Sequence, residues 1–494
     1  MAQFEAVIGL EIHAELQTAS KMFCACPVVD TTQAAPNSAV CPVCSGMPGV
    51  LPVVNRRAVE YALRVALALE CTVAPISIFA RKNYFYPDLP KGYQISQFEQ
   101  PLARNGMLTI RTSSGEKRIR VRRVHLEEDA GKLTHRGQNG SSYTLIDLNR
   151  AGVPLLEIVS EPDLRSAEEV RTFAVTLRDI LRYLEVNSGG MEKGLIRIEP
   201  NISMRQAGEV ELGTRTEIKN LNSFRALERS VAFEIERQSE MLREGKLISQ
   251  ETMGWDETHQ VTVPQRSKEE AHDYRYFPEP DLPPLVIEPQ WISKIESTLP
   301  ELPLEKYDRF QAEYGLSDYD TQLLIEDWPV AEYFENVVAH QIDPKSAANW
   351  ITGELFSLMN QAVIDIKHIT VSPEQLAQLL QLISSGEINL TSAKTVLAEM
   401  FASGGNAAEI ISSQGLRQIS DSSQVSELVQ TVLSENPEPV AAYLAGKETV
   451  QNWLFGQVMR AAKGQANPEI VQRELKHQLT KLQASDTVRD PNVS

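Results

Sequence analysis

The sequence is short of several things, and each shortage narrows the reading. No uncharged apolar stretch reaches the roughly 18 residues that a membrane helix needs, so nothing in the 494 residues argues for a membrane span. Positive charge is in deficit: 48 Lys and Arg stand against 66 Asp and Glu, a formal net charge of −18. A nonspecific nucleic-acid coat, which needs net positive potential, is thereby excluded, although RNA held by a local basic patch or by another subunit is not. Five cysteines are too few for a disulfide scaffold in a chain of this length. The phosphate-binding G-x-x-x-x-G-K-S/T loop, the Rossmann glycine fingerprint, the H-E-x-x-H helix and the G-x-S-x-G elbow are all missing. No Ser or Cys stands in an obvious activating context. The opening MAQFEAVIGLE carries acid and no basic lead-in, unlike a secretory signal, so the expected location is the cytosol. With 42% hydrophobic and 23% charged residues the composition is that of a soluble globular protein, and the length calls for two to four domains.

Chemistry-bearing residues concentrate between His125 and Glu161. HLEEDAGKLTH is followed by a polar turn and then TLIDLNRAGVPLLEIVSEP, so Glu127-Glu128-Asp129 and Glu157 sit in or beside apolar runs where strands usually carry Val and Leu. A carboxylate there loses hydration and needs a cation, a donor or a raised pKa. A solvated charged face and a bound metal both satisfy the pattern. The N-terminus supplies a matching piece. In AVIGLEIHAEL, strand alternation puts Ile8, Leu10 and Ile12 on one face and Gly9, Glu11 and His13 on the other. A Glu and a His on one side of a buried strand form half of a metal or acid–base site.

Four of the cysteines are clustered: Cys24-x-Cys26 and, after fourteen residues, Cys41-x-x-Cys44. Two short-spaced pairs joined by a loop suit one tetrahedral zinc. Buried reduced thiols are the alternative, against which stand the Pro and Gly of these segments. With sulfur at all four positions no place is left for water, so such a metal braces a loop and does not react. Cys71 reads as a core thiol. In RKNYFYPDLPKGYQISQ, Lys82 and Lys91 are interleaved with Tyr84, Phe85, Tyr86 and Tyr93. That suits either a phosphate- and base-contacting loop or an aromatic core edge with snorkelling lysines.

Periodicity predicts a helix over 55–70, a hairpin over 107–124 turning at Ser113-Ser114-Gly115, strands over 142–148 and 155–159, and a helix opened by a Ser166–Glu169 capping box. Strands at 196–202 and 214–218 and a helix capped by Asn220–Ser223 follow. Strands and helices mix without a βαβ period, which indicates an α+β domain with an antiparallel sheet, closed by the proline-dense DYRYFPEPDLPPLVIEPQ. Beyond it the chain reads as helical: 297–315, 331–341, 347–364 and a helix over 373–384 capped by Ser372. ASGGNAAE reads as a hinge, and a small helical tail ends in a helix opened by Asn467-Pro468. The expected organisation is therefore a first α+β domain over 1–292, an all-α helical domain over 293–408, an all-α tail domain over 409–485 and a flexible C-terminus over 486–494. Arg460, Lys463, Arg473, Lys476 and Lys481 give the tail a basic corner, either ordinary surface lysines or an RNA contact.

The blocks IGLEIHAEL, SKMFC, RKNYFYPDLPKGYQISQ, HLEEDAGK, IDLNRAGVPLLEIVSEPD, TEIKNLNSF, DYRYFPEPD and KGQANP, in that order, resemble the B subunits of aspartyl/glutamyl-tRNA amidotransferases from near residue 4 to about 480. The resemblance implies a heterotrimer in which an amidase A subunit frees ammonia from glutamine and a small C subunit completes the assembly. The B subunit uses ATP to phosphorylate the side-chain carboxylate of misacylated Glu-tRNA(Gln) or Asp-tRNA(Asn), and ammonia then displaces the phosphate. It further implies a cradle domain carrying the kinase site, a helical domain and a tRNA-touching tail, with Arg460 and Lys463 as tRNA contacts. Magnesium is expected on Glu11, His13, Glu128 and Glu157. Lys82, Lys91, Arg150 and Lys219 are the ATP-phosphate candidates, on charge and motif context. The cysteine cluster is missing from some members, so the structural zinc expected on it is not part of the chemistry. Glu199 stands where other members often carry Asp. Two other readings compete: a noncatalytic tRNA-binding scaffold and a standalone metallohydrolase.

Overall fold

Alternation along the N-terminal segment produces what it predicts. Phe4–Glu15 is the central strand of a nine-stranded sheet in the computed structural model, which describes residues 4–138, 141–267, 274–419 and 421–487. It pairs antiparallel with Pro154–Ser160 on one side and Ile196–Gln206 on the other. Beyond Pro154–Ser160 lie Gly115–Glu128, Ala103–Thr112 and Thr72–Val73; beyond Ile196–Gln206 lie Thr216–Lys219, Glu251–Asp256 and Val261–Ser267. Neighbours run antiparallel except Thr216–Lys219 with Glu251–Asp256.

The sheet has two unlike faces. Ile8, Leu10, Ile12, Val124, Leu126, Leu156, Ile158, Ile198 and Ile202 form one core with the apolar stripes of helices Arg56–Ala68, Ala167–Tyr183 and Phe224–Arg243. Truncating any of these aliphatics costs about 2–5 kcal/mol. Asn55, Ser166 and Ser223 cap the three helices through their side chains. Only half of the predicted capping box forms. Ser166 accepts from Glu169 N, but the Glu169 carboxylate accepts from Arg165 N at 2.7 Å and Lys117 Nζ at 2.8 Å.

Along Gly115–Glu128 the pairing with Pro154–Ser160 shifts by one residue: Val159 faces Arg123 while Ser160 faces Val121. This bulge at Arg122 keeps Ile119, Val121, Val124 and Leu126 all buried. The proline-dense stretch adds short strands to the same unit: Phe277–Pro278 pairs with Ala80–Asn83, and Leu285–Val286 with Ile76–Ser77. The hairpins Lys132–Gln138/Ser141–Asp147 and Glu251–Asp256/Val261–Ser267 were not anticipated in full; only the 142–148 strand was.

The chain divides into two units, Met1–Glu305 and Lys306–Ser494. In the second, the described regular elements are helical, and two apolar cores are present, one spanning Phe310 to Ile411 and one spanning Val425 to Leu479. Pro373–Ser384 carries a full Ser372–Gln375 capping box. The single helix expected over 347–364 is instead Pro344–Asn349, a π-helical turn Trp350–Leu355 and Phe356–Ala362, which ends where Val363 turns left-handed (φ 54°). The ASGGNAAE run is the tight link between helices Leu390–Ser403 and Ala407–Gln414, both contributing to the first of these cores. The terminal helix Pro468–Thr487 takes in 486 and 487; the rest of the expected flexible tail, 488–494, lies outside the described residues. An antiparallel-dominated α+β region followed by a helical region is thus the architecture. Among the described residues no helix is long and apolar enough to cross a membrane.

Candidate functional site

The sheet face opposite the three helices is polar. Because cross-strand register sets side-chain neighbours, three pairings decide the site. His13 lies opposite Glu157, Glu157 opposite His125, and Glu11 opposite Glu199. His13 Nε2 comes within 3.4 Å of Glu127 Oε1, 3.4 Å of Glu157 Oε2 and 3.8 Å of Glu11 Oε1. His125 Nε2 reaches the same Glu157 Oε2 at 3.4 Å and Glu127 Oε2 at 3.9 Å. Arg123 Nη2 donates to Glu157 Oε1 at 3.0 Å. Two sets of donor atoms, from Glu11, His13 and Glu157 and from His125, Glu127 and Glu157, each fall within 4.8 Å of one another.

Burial and charge act in opposition here. Burial disfavours the protonated His13 ring, but hydrogen bonding to Glu157 and the charges of Glu127, Glu157 and Glu11 outweigh it and lift the group to about 9. Burial, then Glu157, raises Glu11. Glu157 is held well below the usual carboxylate range: His125 and His13 override the opposing effect of burial. Such a set holds excess negative charge out of water and tolerates it only with protons or a cation present. The donors are mainly carboxylate oxygens with imidazole nitrogen, chemistry that fits Mg²⁺ and fits Mn²⁺ still better where histidine joins.

The residues singled out in the sequence distribute unevenly. Glu11, His13 and Glu157 come together. Glu128 does not join them. It shares the parity of Val124 and Leu126, turns to the opposite face, accepts from Ile95 N at 2.9 Å and pairs with Lys91. Glu127 takes the place expected for it. Lys82 Nζ stands 5.2 Å from the Tyr274 ring centre and 5.9 Å from that of Tyr84; burial opposes its charge, but Glu127 foremost, with Tyr276 and Glu157, raises its pKa. Lys219 binds Glu199 at 2.7 Å and Glu217 at 3.4 Å, which places it in the row that continues through Glu11. Arg150 donates to the carbonyls of Ala130 and Gly131 and approaches Asp129 at 3.4 Å. Beside the row, a cavity of about 670 Å³ is lined by Gly9, Glu11, Arg123, Ser160, Asn201 and Arg215, among others.

The four clustered cysteines also meet. Cys44 Sγ lies 3.8 Å from Cys41 Sγ and 4.0 Å from Cys26 Sγ, and all four sulfurs fall within 4.8 Å of one another. A tetrahedron of Zn–S bonds of about 2.3 Å sets sulfurs about 3.8 Å apart, whereas a disulfide would need about 2.05 Å. The donor set therefore fits zinc. Hydrogen bonding from Cys24 foremost, aided by Lys21, draws the Cys44 thiol down to about 4 against its burial. Cys71 is buried apart from these. In the second unit Arg460 and Lys463 are exposed at the end of helix Val450–Ala461 and just after it.

A family profile described as the GatB/GatE catalytic domain matches residues 6–293, well over half of the chain, and one described as the GatB domain matches 332–479. The chain belongs to the GatB family. Proteins named as the B subunit of aspartyl/glutamyl-tRNA(Asn/Gln) amidotransferase are similar to it along nearly its whole length. That of Moorella thermoacetica is 51% identical over 477 residues, 97% of this chain and 100% of that protein. That of Thermoanaerobacter pseudethanolicus is 48% identical over 481 residues, again 97% and 100%. That of Thermomicrobium roseum is 50% identical over 478 residues, 97% and 99%. The segment matched to the GatB/GatE catalytic domain holds the acid–histidine row and the cysteine cluster, and the segment matched to the GatB domain holds Arg460 and Lys463. Reading the sequence noted Glu127 among three consecutive acids but put Glu128 in the metal set, and it did not single out His125 or Arg123; the extra residue at Arg122 obscures the alternation that would have marked all three.

Proposed function

We propose that this chain is the carboxylate-activating B subunit of a tRNA-dependent amidotransferase, working with an amidase A subunit and a small C subunit in the cytosol. It would act on Glu-tRNA(Gln) or Asp-tRNA(Asn) to give the amidated aminoacyl-tRNA. The observation that carries the reading is the acid–histidine row on the open face of the sheet, with Glu157 shared between both donor sets.

A side-chain carboxylate resists ammonia because oxide is a poor leaving group. Transfer of the γ-phosphoryl group of ATP to that carboxylate gives an acyl phosphate, from which ammonia expels phosphate. Phosphoryl transfer asks the protein chiefly for positioning and charge neutralisation. Glu11, His13, Glu127 and Glu157, with His125, are the residues that would hold Mg²⁺, which supplies charge neutralisation on the phosphate oxygens. Arg123 and Arg215 at the cavity, with Lys82 and Lys219 along the row, would receive phosphate oxygens, Arg123 and Lys219 by turning from the row's own carboxylates to the phosphate. Lys91 and Arg150 are engaged by Glu128 and by Asp129 and backbone carbonyls, so their part is to hold the surrounding turns. Zinc on Cys24, Cys26, Cys41 and Cys44 would brace the loop that follows the first strand. The second core of the helical unit would be the tRNA-touching tail, with Arg460 and Lys463 on the RNA.

The test is release of labelled phosphate from γ-labelled ATP by the three-subunit complex, with each misacylated tRNA in turn. Phosphate release that depends on the matching aminoacyl-tRNA and is lost in Glu157→Gln supports the reading. Undiminished release in that variant would leave the chain as a scaffold for RNA.

A further inference from the structure

Lys21, in the SKMFC block, is fully buried, a rare place for lysine. Its Nζ donates to Ala39 O at 2.8 Å, to Leu148 O at 3.2 Å and to Cys44 Sγ at 3.6 Å. The three donors of an ammonium thus meet three acceptors from two segments far apart in the chain, the 39–44 loop and the turn at Leu148. Two are neutral carbonyls. The third is a sulfur that becomes a full negative charge when it ligates a metal. An ammonium buried among carbonyls alone is costly to keep out of water, and a charged partner offsets that cost. From the other side, four thiolates around Zn²⁺ leave a net charge of −2 in a partly buried loop.

The surroundings make Lys21 a junction. Its backbone N–H donates to Cys26 O at 2.9 Å, and that of Met22 to Gly152 O at 2.7 Å. Ala39 N donates to Asn149 Oδ1 at 2.9 Å. Gly152 lies against both: a Cβ there would make ordinary contact with Cys44 Cβ at 3.4 Å and Lys21 Cδ at 3.6 Å. The 148–152 turn also carries Arg150, which engages Asp129.

We propose that Lys21 is a built-in counter-charge for the tetrathiolate centre, bringing it to −1 and fastening it to the turn that carries Arg150. The proposal rests on reading the four cysteines as a zinc site. Lys21 acts through Cys44 and the turn, so it is a positioning residue.

Metal analysis of the purified full-length chain tests the underlying reading by itself: about one zinc per chain is expected, and none would remove it. Lys21→Met, of similar length but uncharged, tests the proposal. Zinc affinity, measured by competition with a chelator, is expected to fall about 10- to 100-fold. In the cobalt-substituted chain the thiolate-to-metal charge-transfer band should move to lower energy, because a hydrogen bond to the sulfur lone pair is gone. The metal-free variant should melt no lower than the metal-free parent, since a buried charge without its thiolate has been removed. An unchanged affinity and band, with melting lowered equally with and without metal, would overturn the proposal and leave Lys21 as a loop clamp. Should Lys21→Met not fold, Lys21→Gln carries the same comparison. Failure of both to fold would also count against the proposal, since the residue would then be needed to build the fold itself.

Discussion

The first unit builds its two candidate metal centres in opposite ways. The cysteine centre is local. Two pairs of thiols within about twenty residues are brought together by one loop, and their spacing announces them. The acid–histidine row is assembled across the sheet. Its members come from Phe4–Glu15, Gly115–Glu128 and Pro154–Ser160 and are neighbours only because strand register makes them so. A local centre survives modest errors in the fold. One spread over three strands is lost by a one-residue slip, because a slip turns every side chain to the other face.

The largest expected effect tests the row at its middle. Glu157→Gln should lower tRNA-dependent ATP cleavage by the assembled complex by about 10²–10³-fold, with glutamine hydrolysis by the partner kept. A deficit shared equally by both activities would show a folding role instead. The next prediction contrasts neighbours on one strand. Glu127→Gln should lose activity on the same scale, whereas Glu128→Gln, which breaks the pairing with Lys91 on the other face, should lose less than about tenfold. The reverse order would return Glu128 to the metal set expected from the sequence.

The local centre should respond differently. Cys41→Ser, or exhaustive chelation, should cost about 2 kcal/mol, or about 4–8 °C in melting temperature. Activity per folded complex should change less than about threefold, read below the melting range. The smallest effect concerns the register lock beside the bulge. Arg120 donates to Asp163 through Nε at 2.8 Å, Nη2 at 2.6 Å and its backbone N at 3.1 Å, and these bonds hold the Asp163 carboxyl below its usual range. A carboxyl with a lowered folded pKa stabilises above the unfolded value and loses that contribution as pH falls through the folded one. Asp163→Asn should therefore cost about 0.5–1 kcal/mol at pH 7, kept small because Arg120 is largely exposed. The gap in urea midpoints should close only below the ordinary aspartate range.

What could be read without coordinates follows the same division. Helix caps at Ser223, Ser372 and Asn467, and the pairing of cysteines by spacing, depend on residues a few positions apart, and the chain states them directly. The faces of Phe4–Glu15 were equally plain, because alternation there is uninterrupted. The 119–128 stretch was harder. An extra residue at Arg122 breaks the alternation, and three acids in a row give no sign of which one looks outward. Lys21 was invisible for another reason: a lysine beside two apolar residues looks like any surface lysine until a distant turn closes over it. The stop of the expected 347–364 helix at Val363 had no local warning, since Val rarely adopts a left-handed backbone.

The position of Phe4–Glu15 in the middle of the sheet also bears on how the chain is made. It leaves the ribosome before its partners, and the second long one, Ile196–Gln206, is completed roughly 190 residues later. At about 5–20 residues per second that is a delay of about ten to forty seconds. Both edges of this aliphatic strand are open until Pro154–Ser160 is made and one stays open until Ile196–Gln206 follows, so synthesis of this subunit should lean on chaperones bound near the strand.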